Sequence, residues 1–223
     1  MAFGMKRSGF HRWGFAIYRT TYDDDAAWDR YLEILKVSAL RSLKFTGGDV
    51  LLEQYYLTHK PSGPVISDPV RLKGASKAQV RRHFKNWCAA RSEERDGPGA
   101  TNGGVKHLPR FKYCLYVDRK CLDTLANLPA DYFEPQSRQK LHQSEVVVVA
   151  IDGAFDRRTP RYDPDRGLQP EVEGCTEWYV GWRYEYIDRT VATYDECHGF
   201  SLDHRPYKRP PLISTFGQKS MPT

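Results

Sequence analysis

The stretch Tyr18-Arg19-Thr20-Thr21-Tyr22-Asp23-Asp24-Asp25 gathers a guanidinium, two phenols and three carboxylates where an alternating apolar segment gives way to a helical one. Such a junction can hold a polar ligand. Free N–H groups at a helix N-terminus attract anions, whereas the three aspartates repel them, so a cationic or hydroxylated ligand suits the place better than a phosphate. The same residues also fit a structural role, a capped helix with Arg19 paired to an acid. Tyr18, Arg19 and Tyr22, with Tyr113 on a later strand, are the candidate ligand contacts, and Asp25 is a candidate for proton transfer.

Two histidines could do acid–base work near neutral pH. His83 lies among Arg81, Arg82 and Lys85 at the edge of an apolar helical stripe, where a satisfied structural histidine is the competing reading. His107 follows Gly103-Gly104 and Lys106 in a glycine-rich loop, the kind of segment that can serve as a lid. Neither has an identifiable serine or cysteine with an orienting carboxylate, so no nucleophilic triad is expected. Cys175, Cys197, His198 and His204 carry atoms that bind zinc, and Asp163 with Asp165 could face magnesium, but the spacings are generic. Adjacent Cys197 and His198 cannot readily aim at one tetrahedral centre. No metal and no cofactor is expected.

The rest of the chain bounds the surroundings of these residues. With 223 residues, 40% hydrophobic and 28% charged, it can bury one core and is not disordered throughout. A net charge of +6 permits an anionic partner, yet no basic stripe interleaved with aromatics is present, so nucleic acid is not an expected partner. The opening residues show no signal-peptide pattern, and the longest aliphatic run, Val146 to Ile151, is too short to cross a bilayer. Five cysteines without a C-x-x-C pair fit reduced thiols and a cytoplasmic address, with no membrane partner.

Periodicity then supplies the positioning elements. Trp13, Phe15 and Ile17 alternate over 12–20 and predict a strand, followed by a helix capped at Asp23 to Asp25. On that helix Trp28, Tyr31, Leu32, Leu35 and Ala39 share one face until Gly47-Gly48. The segment after Asp49 fits either a short helix or a strand. Ser76 and Gln79 form a capping-box pattern ahead of Val80, Phe84, Trp87 and Cys88, with Arg81, Arg82 and Lys85 turned away. The loop at 91–104 has the composition of a mobile one. Strands are predicted over 110–118, 145–152 and 178–187, with a short helix from Leu122 to Leu128. The fold class is therefore α+β, a two-layer arrangement of sheet and helices, with the ferredoxin-like order as its commonest relative. Residues 1–200 read as a single domain, and 201–223 as a Pro-rich basic extension, wrapped on the domain or partly disordered.

The opening Gly14-Phe-Ala-Ile-Tyr-Arg-Thr-Thr-Tyr22 with Asp24-Asp25 and Trp28, together with 72–87 and 110–118, resembles a group of filamentous-fungal proteins sharing a GFxIYRTTYxDDxxW opening. The resemblance implies a fungal source and a common fold, and it brings no catalytic residue. From the residues themselves, the expected function is binding of a small-molecule ligand, or a cofactor-independent isomerase or cyclase. A non-enzymatic interaction module, working through the tail and polar loops, is the alternative. The strand at 178–187 carries Trp178, Val180, Trp182, Tyr184 and Tyr186 on one side and Tyr179 on the other. An uncovered aromatic face of this kind predicts a homodimer, unless Leu202, Tyr207, Leu212, Ile213 and Phe216 fold back over it.

Overall fold

A computed structural model describes residues 2–48, 65–134, 144–156, 164–204, 207–215 and 219–221. The expectations for the segment after Asp49 and for Asp163 and Phe216 fall outside the described residues. Five strands form one sheet in the order β2-β1-β3-β4-β5. In chain order the elements are α1 (Ala2–Ser8), β1 (Ala16–Arg19), α2 (Asp25–Phe45), β2 (Val65–Ile66), α3 (Pro69–Leu72), α4 (Lys77–Ala89) and α5 (Glu93–Asp96). There follow α6 (Pro109–Lys112), β3 (Tyr113–Val117), α7 (Arg119–Asp123), β4 (Val147–Asp152), β5 (Trp182–Tyr186) and α8 (Thr190–Glu196). β1 runs parallel to β2 and β3, whereas β4 runs antiparallel to both its neighbours, β3 and β5.

This is a mixed α+β fold, but helices cover both faces of the sheet rather than one. Ile17 and Leu115 share a small apolar cavity with Leu35 and Ala39 of α2 and with Val191 and Tyr194 of α8. On the other face Tyr18 meets His83 and Phe84 of α4. Double cover follows from composition, because β1, β3 and β4 are buried at every position and neither face could stand in water. The chain leaves β1 through α2 on one face to reach β2. It comes back through α4 on the other to reach β3. That order differs from the β-α-β-β-α-β order of the ferredoxin-like arrangement.

The helix signals act as expected. The Asp24 carboxylate accepts from the Ala27 N–H at 2.9 Å and starts α2, while Gly47 at φ 71° follows its last turn. Both halves of the Ser76–Gln79 capping box are made. The strand expectations are corrected at their starts. Gly14, at φ 99°, breaks the extended run so that β1 begins at Ala16. Pro109 opens a helical turn over 109–112, and Gly181, at φ 78°, delays β5 to Trp182. A Cβ at Gly181 would also lie 2.2 Å from the Phe155 ring.

Two surfaces differ from their sequence reading. The loop at 91–104 is tied down by Asp96, which is buried and accepts from Arg95 and the Ser92 N–H, with Arg110 3.8 Å away. The aromatic strand is covered within the same chain. Tyr207 packs on the rings of Trp178 and Tyr179, donates to the Trp178 carbonyl at 3.1 Å and accepts from the Val180 N–H at 3.3 Å. The Ser214 N–H reaches the Tyr184 carbonyl at 2.8 Å and closes the outer edge of β5. The chain's own end thus covers part of the apolar surface that prompted the dimer expectation. Deleting residues 204–223 should uncover it and make the protein self-associate more strongly than the full chain; equal light-scattering masses across a range of concentrations would contradict this cover.

Candidate functional site

The sequence-predicted residues separate into four places. Tyr18 and His83 meet: the phenol oxygen lies 2.9 Å from Nδ1. Burial pushes the Tyr18 pKa up, so the phenol keeps its proton, and the direction of this hydrogen bond follows the imidazole tautomer. On the opposite face the Arg19 guanidinium lies over the rings of Tyr22 and Trp28, at 4.7 and 5.0 Å from their centroids. Its Nε donates to the Thr21 carbonyl and its Nη2 pairs with the exposed Asp25 carboxylate. Tyr22 donates to the Arg19 carbonyl and accepts from the Asp68 N–H. These contacts satisfy the structural reading of the junction, a capped helix with its arginine paired. Tyr113 is buried, with the Lys112 ammonium 5.0 Å from its ring centroid. His107 stands exposed on the turn Val105–His107. The seven residues do not converge on one cavity.

A cavity does open elsewhere, on the α2 and α8 face of the sheet. It holds about 210 Å³ and is lined by Arg183, Glu196, Cys197, Phe200, Ser201 and His204. Its floor is an ion pair on β5. Alternation along the strand turns Arg183 and Glu185 to the same face, where their side chains are 3% and 2% exposed. Arg183 Nε and Nη2 both donate to Glu185 Oε2, at 3.0 and 2.9 Å. Nη2 also reaches Thr193 Oγ1 of α8 at 3.1 Å, and the Thr193 hydroxyl donates to Glu185 Oε1. Nη1 donates to the Leu202 carbonyl at 3.2 Å. Burial works against the Arg183 charge, but the Glu185 carboxylate outweighs it and the pKa is raised.

The walls are chemically mixed. Glu196 takes a hydrogen bond from Arg189 at 3.1 Å on Oε1. The Cys197 thiol is pushed up to about 12 by burial and stays protonated at neutral pH. Phe200, 54% exposed, stacks on His204 with centroids 4.3 Å apart and planes 7° from parallel. Ser201 donates to Asp203. Behind this wall α1 docks on the end of α8: a Cβ at Gly4 would lie 2.5 Å from the His198 ring, whose Nε2 is buried with no hydrogen-bond partner.

The sequence held two overlooked signals for this site. Arg183 and Glu185, two apart on a predicted strand, are opposite charges on one face. Val191, Tyr194 and Cys197 recur at three-residue steps, but the threonine-rich segment around them has low helix propensity and is short. No group of three or more metal-ligating side chains gathers among the described residues, nor is any of their helices long and apolar enough to cross a membrane. Comparison with protein-family models, curated proteins and solved structures finds no match to the chain.

The His198 contact carries a pH dependence. Burial, helped by the nearby Lys112 charge and opposed by Asp195, lowers its pKa below the ordinary histidine value. The folded state therefore prefers the neutral ring; its contribution to stability is complete above the unfolded value of about 6.5 and is lost as pH falls through the lower folded value. Denaturant unfolding at a series of pH values should show a smaller loss of stability below about pH 6.5 in His198→Asn than in the parent chain. Superimposable profiles would contradict the assignment.

Proposed function

We propose that the protein binds a small polar molecule non-covalently in the cavity floored by Arg183. One observation carries this reading: a buried, immobilised guanidinium faces an open space of about 210 Å³ instead of being sealed by apolar side chains. Ligand sites of this kind place a few oriented polar groups within a concave, partly apolar surface. Charge favours a neutral ligand. Glu185 already compensates Arg183, and Glu196 stands on the wall, so an anion would gain little and meet a carboxylate.

The thiol supports binding over covalent chemistry, since a protonated Cys197 is a poor nucleophile. The test is a titration with small neutral polar fragments, followed by amide chemical shifts. Shifts should cluster at 183, 196–197 and 200–204 and disappear in Ser201→Trp, which fills the opening from an exposed position. Shifts that persist in Ser201→Trp, or that fall on other residues, would refute the site.

A further inference from the structure

The chemistry of the cavity walls narrows the ligand class, on the assumption that the cavity is the binding site. Three of its features bear on the ligand. The first is a hydrogen-bond donor. Of the two N–H groups on Arg183 Nη1, one reaches the Leu202 carbonyl and the other has no partner among the described residues. The fork on Glu185 and Thr193 prevents the guanidinium from turning away, so that N–H is held at the cavity floor. The second is an acceptor. Glu196, which lines the cavity, accepts from Arg189 on Oε1, and its Oε2 has no hydrogen-bond partner among the described residues.

The third feature is a flat wall. Phe200 and His204 lie parallel, and Phe200 remains 54% exposed although it lines the cavity. An aromatic ring kept half in water beside a polar space gains most from a planar ligand that covers its face. A donor, an acceptor and a stacking plane around one space select a planar ring presenting a carbonyl next to an N–H. The cavity's volume of about 210 Å³ suits one ring or a small fused pair as the enclosed part of the ligand.

We propose that the cavity takes a neutral lactam or imide heterocycle, of the pyrimidinone or purinone type, with its carbonyl on Arg183 Nη1, its ring N–H on Glu196 and its face on Phe200. Polyols match the hydrogen bonds but leave the aromatic wall uncovered, and simple arenes do the reverse. Binding releases and makes no covalent bond, so no co-reactant is involved.

The experiment titrates the full chain with uracil, with 1,3-dimethyluracil, which lacks the N–H, and with myo-inositol, reading amide shifts at the cavity residues. Uracil should shift them in a saturable way, dimethyluracil should bind at least about tenfold more weakly, and Glu196→Gln and Phe200→Ala should each weaken uracil by about tenfold. Both substitutions sit at partly exposed positions, so the fold is retained. Equal affinity for uracil and dimethyluracil, or uracil binding indifferent to Phe200→Ala, overturns the heterocycle assignment. If myo-inositol alone shifts the same residues, the ligand class is wrong while the cavity remains a binding site. If none of the three probes shifts them, both the class and the site are refuted.

Discussion

The buried pair of Arg183 and Glu185 is the contact on which the far half of the molecule depends. Removing two charges from water is costly, and the mutual attraction offsets that cost only where the remaining donors and acceptors are also filled. Here most of them are filled, by Thr193 from α8 and by the Leu202 carbonyl from the turn beyond it, while the Arg189 guanidinium adds a longer-range charge 3.9 Å from Glu185. One ion pair thereby fixes the position of a short helix with weak intrinsic propensity and of the turn that follows it. The cavity is the space left between them. Replacing either partner by an apolar residue would strand a buried charge, a loss on the order of 3–5 kcal/mol.

The same device recurs throughout the chain. Long connections between few strands bury backbone carbonyls, and such groups can take up to two donors each. Arginines supply them. Arg81 donates to the carbonyls of Asp152 and Gly181, Arg209 to those of Glu177 and Cys175, Arg110 to Gly14 and Arg95 to Trp87. The guanidinium fork spans two carbonyls that lie at different heights, which a single-donor side chain could not do. Lys77 is handled differently, with its ammonium 4.2 Å from the Trp182 ring centroid and paired to Glu173.

This use of arginine explains what could be read from the sequence and what could not. The cap at Asp24, the box at Ser76–Gln79 and the apolar stripe of α2 depend on neighbours within four residues, and each stands where periodicity placed it. Arg81 was expected to turn away from the core, and Arg183 and Glu185 were not singled out, because charge on an amphipathic pattern ordinarily marks the solvated side. Their partners lie across the fold or on the next alternate residue of a fully buried strand, and local pattern carries no information on that. Tyr18 and His83 were each picked out as functional candidates from their own surroundings. Their hydrogen bond across 65 positions joins two sites that the sequence offered as unrelated. The cavity was missed for the same reason: its floor is a charged pair on an alternating strand and its wall, α8, has little helical signal.

The central claim is that Arg183 is held motionless beneath an open cavity. Side-chain nitrogen NMR of the unmodified protein tests it most directly, because a guanidinium pinned on three partners cannot rotate about its Cζ–Nη bonds or exchange its protons freely. The account predicts separate, slowly exchanging Nη proton signals for Arg183 near neutral pH, unlike those of exposed arginines. A single averaged signal in fast exchange with water would contradict it.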